Sequence, residues 1–568
     1  MKIICFSSHT AIWYFALAEV AVASALQKKG HEVLFVTPGN QFGEKSNLMQ
    51  EEILRKEFNL NGYDIGVVIT DKDRKEIELL MKKLNKNNFE QLTIEGINIG
   101  KIALYEFLLN RKKMNTNFTE NEWKECLANF KNTLVSFFAC RAVIAKEKPD
   151  RILVYNALYS VNHVWEKYSA IVGVPFYFLH NGLNFSDIDN TLIVAKNDSI
   201  YYSSKLRNIW HKIKKIPVSG EMLSYVTDHF LELLKAKHYL VYSSKKSSQK
   251  VNIKRKFDIK NSQKLLTATM SSYDELFAAE YVGVRSKTKN LIFNSQIDWI
   301  KATVDYVKNK PNLFLIIRVH PREFPNKRDN VKSEHSKRLE KEFQNLPDNV
   351  RINWPTDNIS IYDLAQETDV FLNAWSSVGV EMSLLGIPVV IYSKELILYP
   401  AELNYLARDR DDYFNKIELA LKEGWDYNKI KMTYRWLSLR YYRTIMRFKI
   451  KKIESEKKIE MSLISKILNI PRCLYEKFPT KIKIFIEQCL EELKPSYFHI
   501  SGGDMNSLKD EHLDLQEANF DIKWIKNELE KISCNKDIFL VFEVPKKGDN
   551  LKNDIKNIKY FKIICHIL

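Results

Sequence analysis

The sequence predicts an α/β protein of two doubly wound domains facing each other across a cleft, followed by an α+β appendix at the C-terminus. Three observations carry that expectation. At 568 residues the chain is well beyond the size at which one hydrophobic core stops growing. Apolar strand-like runs alternate with helical segments, the pattern of parallel sheets covered on both faces. The alternation occurs twice, with a basic, mostly helical stretch at about 200–260 between the two series.

The first series opens on MKIICF, a β-branched strand followed by a polar turn containing His9. The apolar spacing from Ala16 to Lys28 predicts a helix that Gly30 ends, and HEVLFVTPG supplies the next strand. IGKIALYEFLL and WKECLANFKNTLVSFFACRAVIAKEKP read as long flanking helices. RILVYN, a helix over SVNHVWEKYSAIVG and the strand VPFYFLH complete a second βαβ unit, which ends at His180-Asn181-Gly182. Open α/β sheets place their ligands at such carboxyl ends of strands.

The second series runs through KLLTATMSS, a helix at about 290–309, NLFLIIRVHP, NVRINWP, a short helix at ISIYDLAQE, DVFLNAWSS, the helix VGVEMSLLG and the strand IPVVIYS. The expected divisions are 1–255 for the first domain, 256–450 for the second and 451–568 for the appendix. The appendix carries two strand-like runs, KDIFLVFEV and YFKIICHIL.

Apolar residues make up 45% of the chain and charged residues 28%, which excludes intrinsic disorder. A formal net charge of +17 implies an anionic partner without choosing among nucleotide phosphate, acidic glycan, nucleic acid and membrane surface. The seven cysteines are scattered with no CxxC spacing, which suggests neither a zinc site nor a disulfide framework and fits a reducing cytoplasm. The N-terminus reads as a strand rather than a signal peptide, and no run approaches the ~18–20 apolar residues of a membrane-spanning helix. Any membrane contact is therefore expected to be peripheral, at the inner face. The stretch Lys429 to Lys458 holds 11 Lys and Arg against 2 Glu, interleaved with aromatic residues. It reads as a solvated helix face or as a dock for anionic lipid or a lipid-linked acceptor.

Chemistry concentrates in two segments of the second half. Arg318-Val319-His320-Pro321-Arg322 ends an apolar strand, and Ser376-Ser377 lies between a strand and a helix, with Glu381 one turn further on. Read separately, the serine pair is an ordinary helix N-cap and His320 a turn histidine. Read together, they describe a phosphate cradle. His320, stiffened by Pro321, donates to a phosphate oxygen, Arg318 or Arg322 adds charge, the serine helix binds phosphate, and Glu381 accepts from ribose hydroxyls. Ser271 and Ser272, after the first strand of this half, are further candidates for phosphate contact, with Asp274 or Glu275 orienting the sugar. Asp409-Arg410-Asp411 spells a DxD metal motif but follows the last strand, and it reads as a surface loop. No GxxxxGK[ST] or GxGxxG occurs, which argues against an NTPase or a dinucleotide enzyme.

An HP motif followed by a Ser-Ser motif resembles the donor site of bacterial sialyltransferases, capsular Kdo transferases and CDP-glycerol polymerases. More broadly, LVYNALYSVNHVWEKY, FLHNGLNF, TATMSSYDELFAA, RVHPRE, NAWSSVGVEMSLLGIPVVIY and YPAELNY resemble capsular polysaccharide biosynthesis proteins. The resemblance implies the GT-B layout, a nucleotide-sugar donor, a CMP-linked one first, and a glycan or lipid-linked acceptor. It assigns the cytidine nucleotide's phosphate to His320, Ser376 and Ser377. The sialyltransferase acidic motif of the first domain is missing, its counterpart being His180-Asn181-Gly182. The general base is therefore expected to be His9 or His180, with Glu19 a solvent-facing or structural residue. No metal, cofactor or nucleic acid is called for. Transfer of a polyol phosphate, or a non-catalytic role in polysaccharide assembly, are the alternatives.

Overall fold

The structure, a computed structural model, describes residues 1–451 except 11, 29, 189–190, 197–205, 209, 212–213, 216–217, 219, 239 and 248–250, and beyond them 499–503, 539–541 and 564–566. The first sheet begins with β1 (Lys2–Phe6), β2 (Glu32–Thr37) and β3 (Gly62–Asp64). A small hairpin of β4 (Thr93–Ile94) and β5 (Ile97–Asn98) lies outside it. β6 (Arg151–Tyr155), β7 (Phe176–Asn181) and β8 (Thr191–Lys196) complete the run. The order β8-β7-β6-β1-β2-β3 is parallel except for β8, which pairs antiparallel with β7. The second sheet takes β9 (Lys264–Thr269), β10 (Leu313–Arg318), β11 (Val350–Asn353), β12 (Val370–Asn373), β13 (Val389–Ile391) and β14 (Tyr405–Leu406) in the order β11-β10-β9-β12-β13-β14, parallel throughout. That is the doubly wound Rossmann order, in which the crevice opens between β9 and β12. The two parallel-sheet domains of the GT-B layout expected from the sequence are both present.

Alternate residues of each strand go to opposite cores. Ile4, Phe6, Val36, Ile152 and Val154 enter one cluster, and Ile3, Cys5, Val33, Phe35 and Leu153 the other. Both faces are buried, so the strands read as continuous apolar runs rather than as alternating ones. The second sheet repeats this, with Phe314, Ile316 and Phe371 on one face and Leu315, Ile317 and Leu372 on the other.

Three expectations change. The segment 99–109 is two short helices, Ile99–Ile102 and Tyr105–Asn110, instead of one long one. The break lets Ile99 and Ile102 pack in the first-domain core while Leu104, Phe107 and Leu108 enter a cluster that also holds Ala278 and Val282 of the second domain. Among the described residues of the basic stretch that begins at Lys429, the α-helix Tyr427–Ser438 ends early and is followed by a π turn at Leu439–Arg443. From there the chain returns to the first sheet as β15 (Met446–Lys451), antiparallel to β8, with β16 (His499–Gly503) beyond it. Met446, Phe448 and Ile450 alternate with basic residues, which is strand periodicity. Tyr434, Trp436 and Tyr441 are buried in the second-domain core and so present no aromatic face to a lipid surface. Of the appendix, β17 (Phe539–Val541) pairs with β18 (Ile564–His566), each within one of the two strand-like runs. Residues 452–458 of the basic stretch and the rest of the appendix lie outside the described residues. Among the described residues no helix is long and apolar enough to cross a membrane.

Glu19 is a structural partner rather than a solvent-facing residue. It is buried between β1 and β6, accepting from the Ser7 hydroxyl and, at 3.1 Å, from the Tyr155 N–H. Burial pushes its carboxyl up to about 8. A carboxyl raised on folding adds stability that is full below its unfolded pKa near 4.5 and is lost as pH rises through 8. Glu19→Gln mimics the protonated form. In urea denaturation from pH 5 to 9 its advantage over the native chain should widen with pH, by at most about 1.4 kcal/mol per unit; a constant offset would contradict this.

Candidate functional site

The carboxyl edge of the second sheet is level across its centre. Thr269, Arg318 and Asn373 share one register, and the loops following them carry Met270-Ser271, Val319-His320 and Trp375-Ser376-Ser377. The loops are tied to each other. Thr269 Oγ1 donates to Asn373 Oδ1 at 2.8 Å, and the Trp375 N–H donates to Ser271 Oγ at 3.0 Å. Gln296 holds Ser271 through both its backbone N–H and its carbonyl. Gly379 is required here because a Cβ would stand 1.8 Å from the Tyr399 hydroxyl.

These loops form one wall of a cavity of about 170 Å³, lined by Thr269, Met270, Arg318, His320, Pro321, Ser376, Ser377 and Glu381 among others. The remaining wall comes from elsewhere in the chain. It includes Phe185 from the loop after β7, Leu233 from the helix Gly220–Lys235, and Leu240 to Ser243.

Arg318 is buried at this edge and donates from Nη1 to Asn353 Oδ1, while Asn353 passes a hydrogen bond on to Asp357 at 2.9 Å. Among the described residues no carboxylate makes an ion pair with it. Burial lowers its pKa to about 10, against the raising influence of Asp357 and Asp363. A buried guanidinium without a contacting carboxylate favours an anion in the adjoining space.

His320 caps the short 3-10 turn Pro321–Glu323, its Nδ1 accepting the Arg322 N–H at 3.3 Å. That bond leaves the ring proton on Nε2. Burial, opposed by Glu275 and reinforced by Arg322, Arg318 and Arg328, lowers its pKa to about 4, so at neutral pH it is an uncharged donor. The two serines differ. Ser376 Oγ accepts the Val378 N–H at 3.3 Å and keeps its own proton to donate, whereas Ser377 donates to Glu381 Oε1 at 2.7 Å. Glu381 also accepts from the Tyr362 hydroxyl at 2.9 Å, and burial raises its pKa. Both its oxygens are engaged, which orients it at the cavity.

The other sequence candidates of this domain lie outside the cavity lining. Arg322 makes two bonds to Asp274 Oδ2, at 2.9 and 2.8 Å, and others to the Tyr242 hydroxyl and the Leu109 carbonyl. Ser271 is the loop tie described above. Ser272 donates to Glu275 at the start of the helix Tyr273–Tyr281. Asp409 caps the helix Arg410–Glu423, and among the described residues no group of three or more His, Cys, Asp or Glu is placed to hold a metal.

In the first domain His9 stands beyond β1, at the switch between β1 and β6. Its Nδ1 shares a 2.7 Å bond with Ser8 Oγ and its ring lies 4.7 Å from Tyr159. Burial and the nearby Lys45 lower its pKa to about 3, against Glu106. Glu106 is buried, paired with Lys45 at 3.1 Å and accepting from the Ser160 hydroxyl at 2.9 Å. His180 lies within β7, its Nδ1 2.8 Å from the Asn181 carbonyl and its ring stacked on Tyr155 and Phe178; burial lowers its pKa. The two crests meet through the helix Tyr105–Asn110, which bears Glu106 and whose Leu109 carbonyl receives Arg322.

Sequence reasoning missed Phe185, Tyr242, Ser243, Tyr362 and Glu106. Of these only Phe185 carried a signal, since it follows the His180-Asn181-Gly182 turn at a strand's carboxyl end.

No family model matches the sequence, and no curated protein matches it. Solved structures similar to it include S. aureus MnaA in a co-structure with UDP, at 13% identity over 78% of this chain and 95% of that one, with a TM-score of 0.28. The UDP-GlcNAc 2-epimerase of Neisseria meningitidis bound to UDP-GlcNAc is 12% identical over 77% and 96%, with a TM-score of 0.27. The KpsC β-Kdo 2,4 transferase of Thermosulfurimonas dismutans is 12% identical over 53% and 82%, with a TM-score of 0.33. The assignment of two Rossmann-like domains rests on the strand orders of the two sheets.

Proposed function

We propose that this chain is a glycosyltransferase that binds a nucleotide-activated sugar at the crest of the second sheet and transfers the sugar to an acceptor held at the crest of the first. The observation that carries the reading is Arg318, a buried cation beside a cavity with no carboxylate in contact among the described residues. His320 Nε2–H and the Ser376 hydroxyl supply neutral donors beside it, so a leaving phosphate gains charge and hydrogen bonds that need no rearrangement. Glu381, held by Ser377 and Tyr362, is oriented to accept from ribose. The pairing of the HP and Ser-Ser motifs favours a CMP-linked sugar, and a surface or capsular glycan or a lipid-linked sugar as acceptor. Nothing in this chemistry calls on a metal ion. His9 is the first choice of base because it stands at the switch of the first sheet, while His180 is stacked within β7. A binding role without transfer is the second reading, favoured by the burial that lowers the pKa of both histidines and so weakens them as bases.

Thermal denaturation with CMP, CDP, UDP and GDP tests this. A nucleotide at 100 times its dissociation constant should add about 2.7 kcal/mol. His320→Ala and the double change Ser376→Ala, Ser377→Ala should remove most of that gain. Stabilisation by UDP or GDP alone would discard the cytidine preference, and none by any nucleotide would discard a nucleotide donor.

A further inference from the structure

The cavity is lined by more than the edge of the second sheet. Phe185 reaches it from the first domain, where it follows Gly182-Leu183-Asn184 at the end of β7, and Leu233, Leu240 and Val241 join it. These groups are apolar, whereas the sheet edge contributes Arg318, His320, Ser376, Ser377 and Glu381. An amphipathic cavity of this kind matches a molecule with a flat apolar part and an anionic part.

The Phe185 ring is held in place. Its backbone N–H donates to His229 Nδ1 at 3.1 Å, and its ring stacks on His238 at 4.6 Å and 13° and lies 5.0 Å from the His229 ring at 43°. Asn184 Nδ2 anchors the same loop on the Tyr225 carbonyl at 2.7 Å, on the helix that also supplies Leu233. His229 is buried and held neutral at pH 7, so Nδ1 remains an acceptor. Phe185 itself is only partly buried. An aromatic ring held by its neighbours and left partly open at a cavity is a stacking platform.

We propose that Phe185 is a donor-binding residue that packs against the nucleobase, so that the first domain completes the nucleotide site. This rests on the reading of the cavity as a nucleotide site and adds the group that recognises the base. Stacking is tolerant of base identity, so Phe185 contributes affinity for any nucleoside phosphate, whereas Arg318, His320 and Ser376 recognise the phosphate.

Titration calorimetry of the full chain with CMP, CDP, UDP, GDP and inorganic pyrophosphate separates the two contributions. Phe185→Ala should weaken whichever nucleotides bind by about tenfold or more and leave pyrophosphate unchanged. Phe185→Trp should retain nucleotide binding. Equal nucleotide affinity in the native chain and Phe185→Ala overturns the inference while leaving the nucleotide site standing. Equal loss of nucleotide and pyrophosphate, or loss in Phe185→Trp as well, also overturns it, because the ring then acts through the fold. If neither nucleotide nor pyrophosphate binds the native chain, the proposed function falls and this inference with it.

Discussion

Arg318→Met should abolish nucleotide binding while leaving the free protein about as stable as before. The guanidinium is buried and bonded to Asn353, with its nearest acidic influences, Asp357 and Asp363, acting at a distance. Removing one partner of a buried charge pair costs about 2–5 kcal/mol of binding, at least thirtyfold in affinity. In the free protein the balance is different. A methionine of similar length removes an expensively desolvated charge, and the loss on the other side is one hydrogen bond to Asn353, about 1 kcal/mol. Urea denaturation should therefore place the variant within about 1–2 kcal/mol of the native chain, while calorimetry with CMP or pyrophosphate shows no binding. A large loss of stability would make Arg318 a structural cation, and native-like binding would remove it from the site.

Arg322→Met should do the reverse, destabilising the protein by about 3–5 kcal/mol at pH 8. Its guanidinium is divided among Asp274, Tyr242 and the Leu109 carbonyl of the first domain, and it is what keeps the buried Asp274 carboxylate tolerable. Burial already raises Asp274 to about 6 against the opposing pull of Arg322. Without Arg322 that carboxyl rises further and folds protonated. A folded pKa raised above the unfolded value costs stability as pH increases, so the deficit should be smaller at pH 5 than at pH 8. Adding Asp274→Asn should recover part of it, because the uncompensated charge is then gone. Urea midpoints of the two single variants and the double variant at both pH values decide the matter, and additive losses would show that the pair is not coupled. The same junction holds Lys112, fully buried, with Asp329 at 2.7 Å and two carbonyls of the second domain.

The two arginines show where reading the sequence stops. They are four residues apart in Arg318-Val319-His320-Pro321-Arg322, and either suits a phosphate. Strand geometry separates them. Phe314, Ile316 and Arg318 alternate onto one face of β10, and the sheet edge then meets the cavity at Arg318. Arg322 lies past Pro321 in a 3-10 turn and points to Asp274, 48 residues back. The serine pair divides in the same way, since only the placement of Glu381 and Tyr362 commits Ser377 as a donor within the protein.

The sequence by itself determined the two α/β series, the parallel order they imply and the crest segments at His320 and Ser376, because strand and helix periodicities are local and ligand loops follow strand ends. Tertiary structure alone decided what stands opposite those segments. Phe185 is brought to His320, and Leu109 to Arg322, by packing between stretches more than a hundred residues apart. It also turned the basic tail after Ile445 back into the first sheet, and it buried the rings of Tyr434, Trp436 and Tyr441. No periodicity within a short window records such contacts. They are chosen by which apolar faces and buried charges remain unsatisfied once each element has formed.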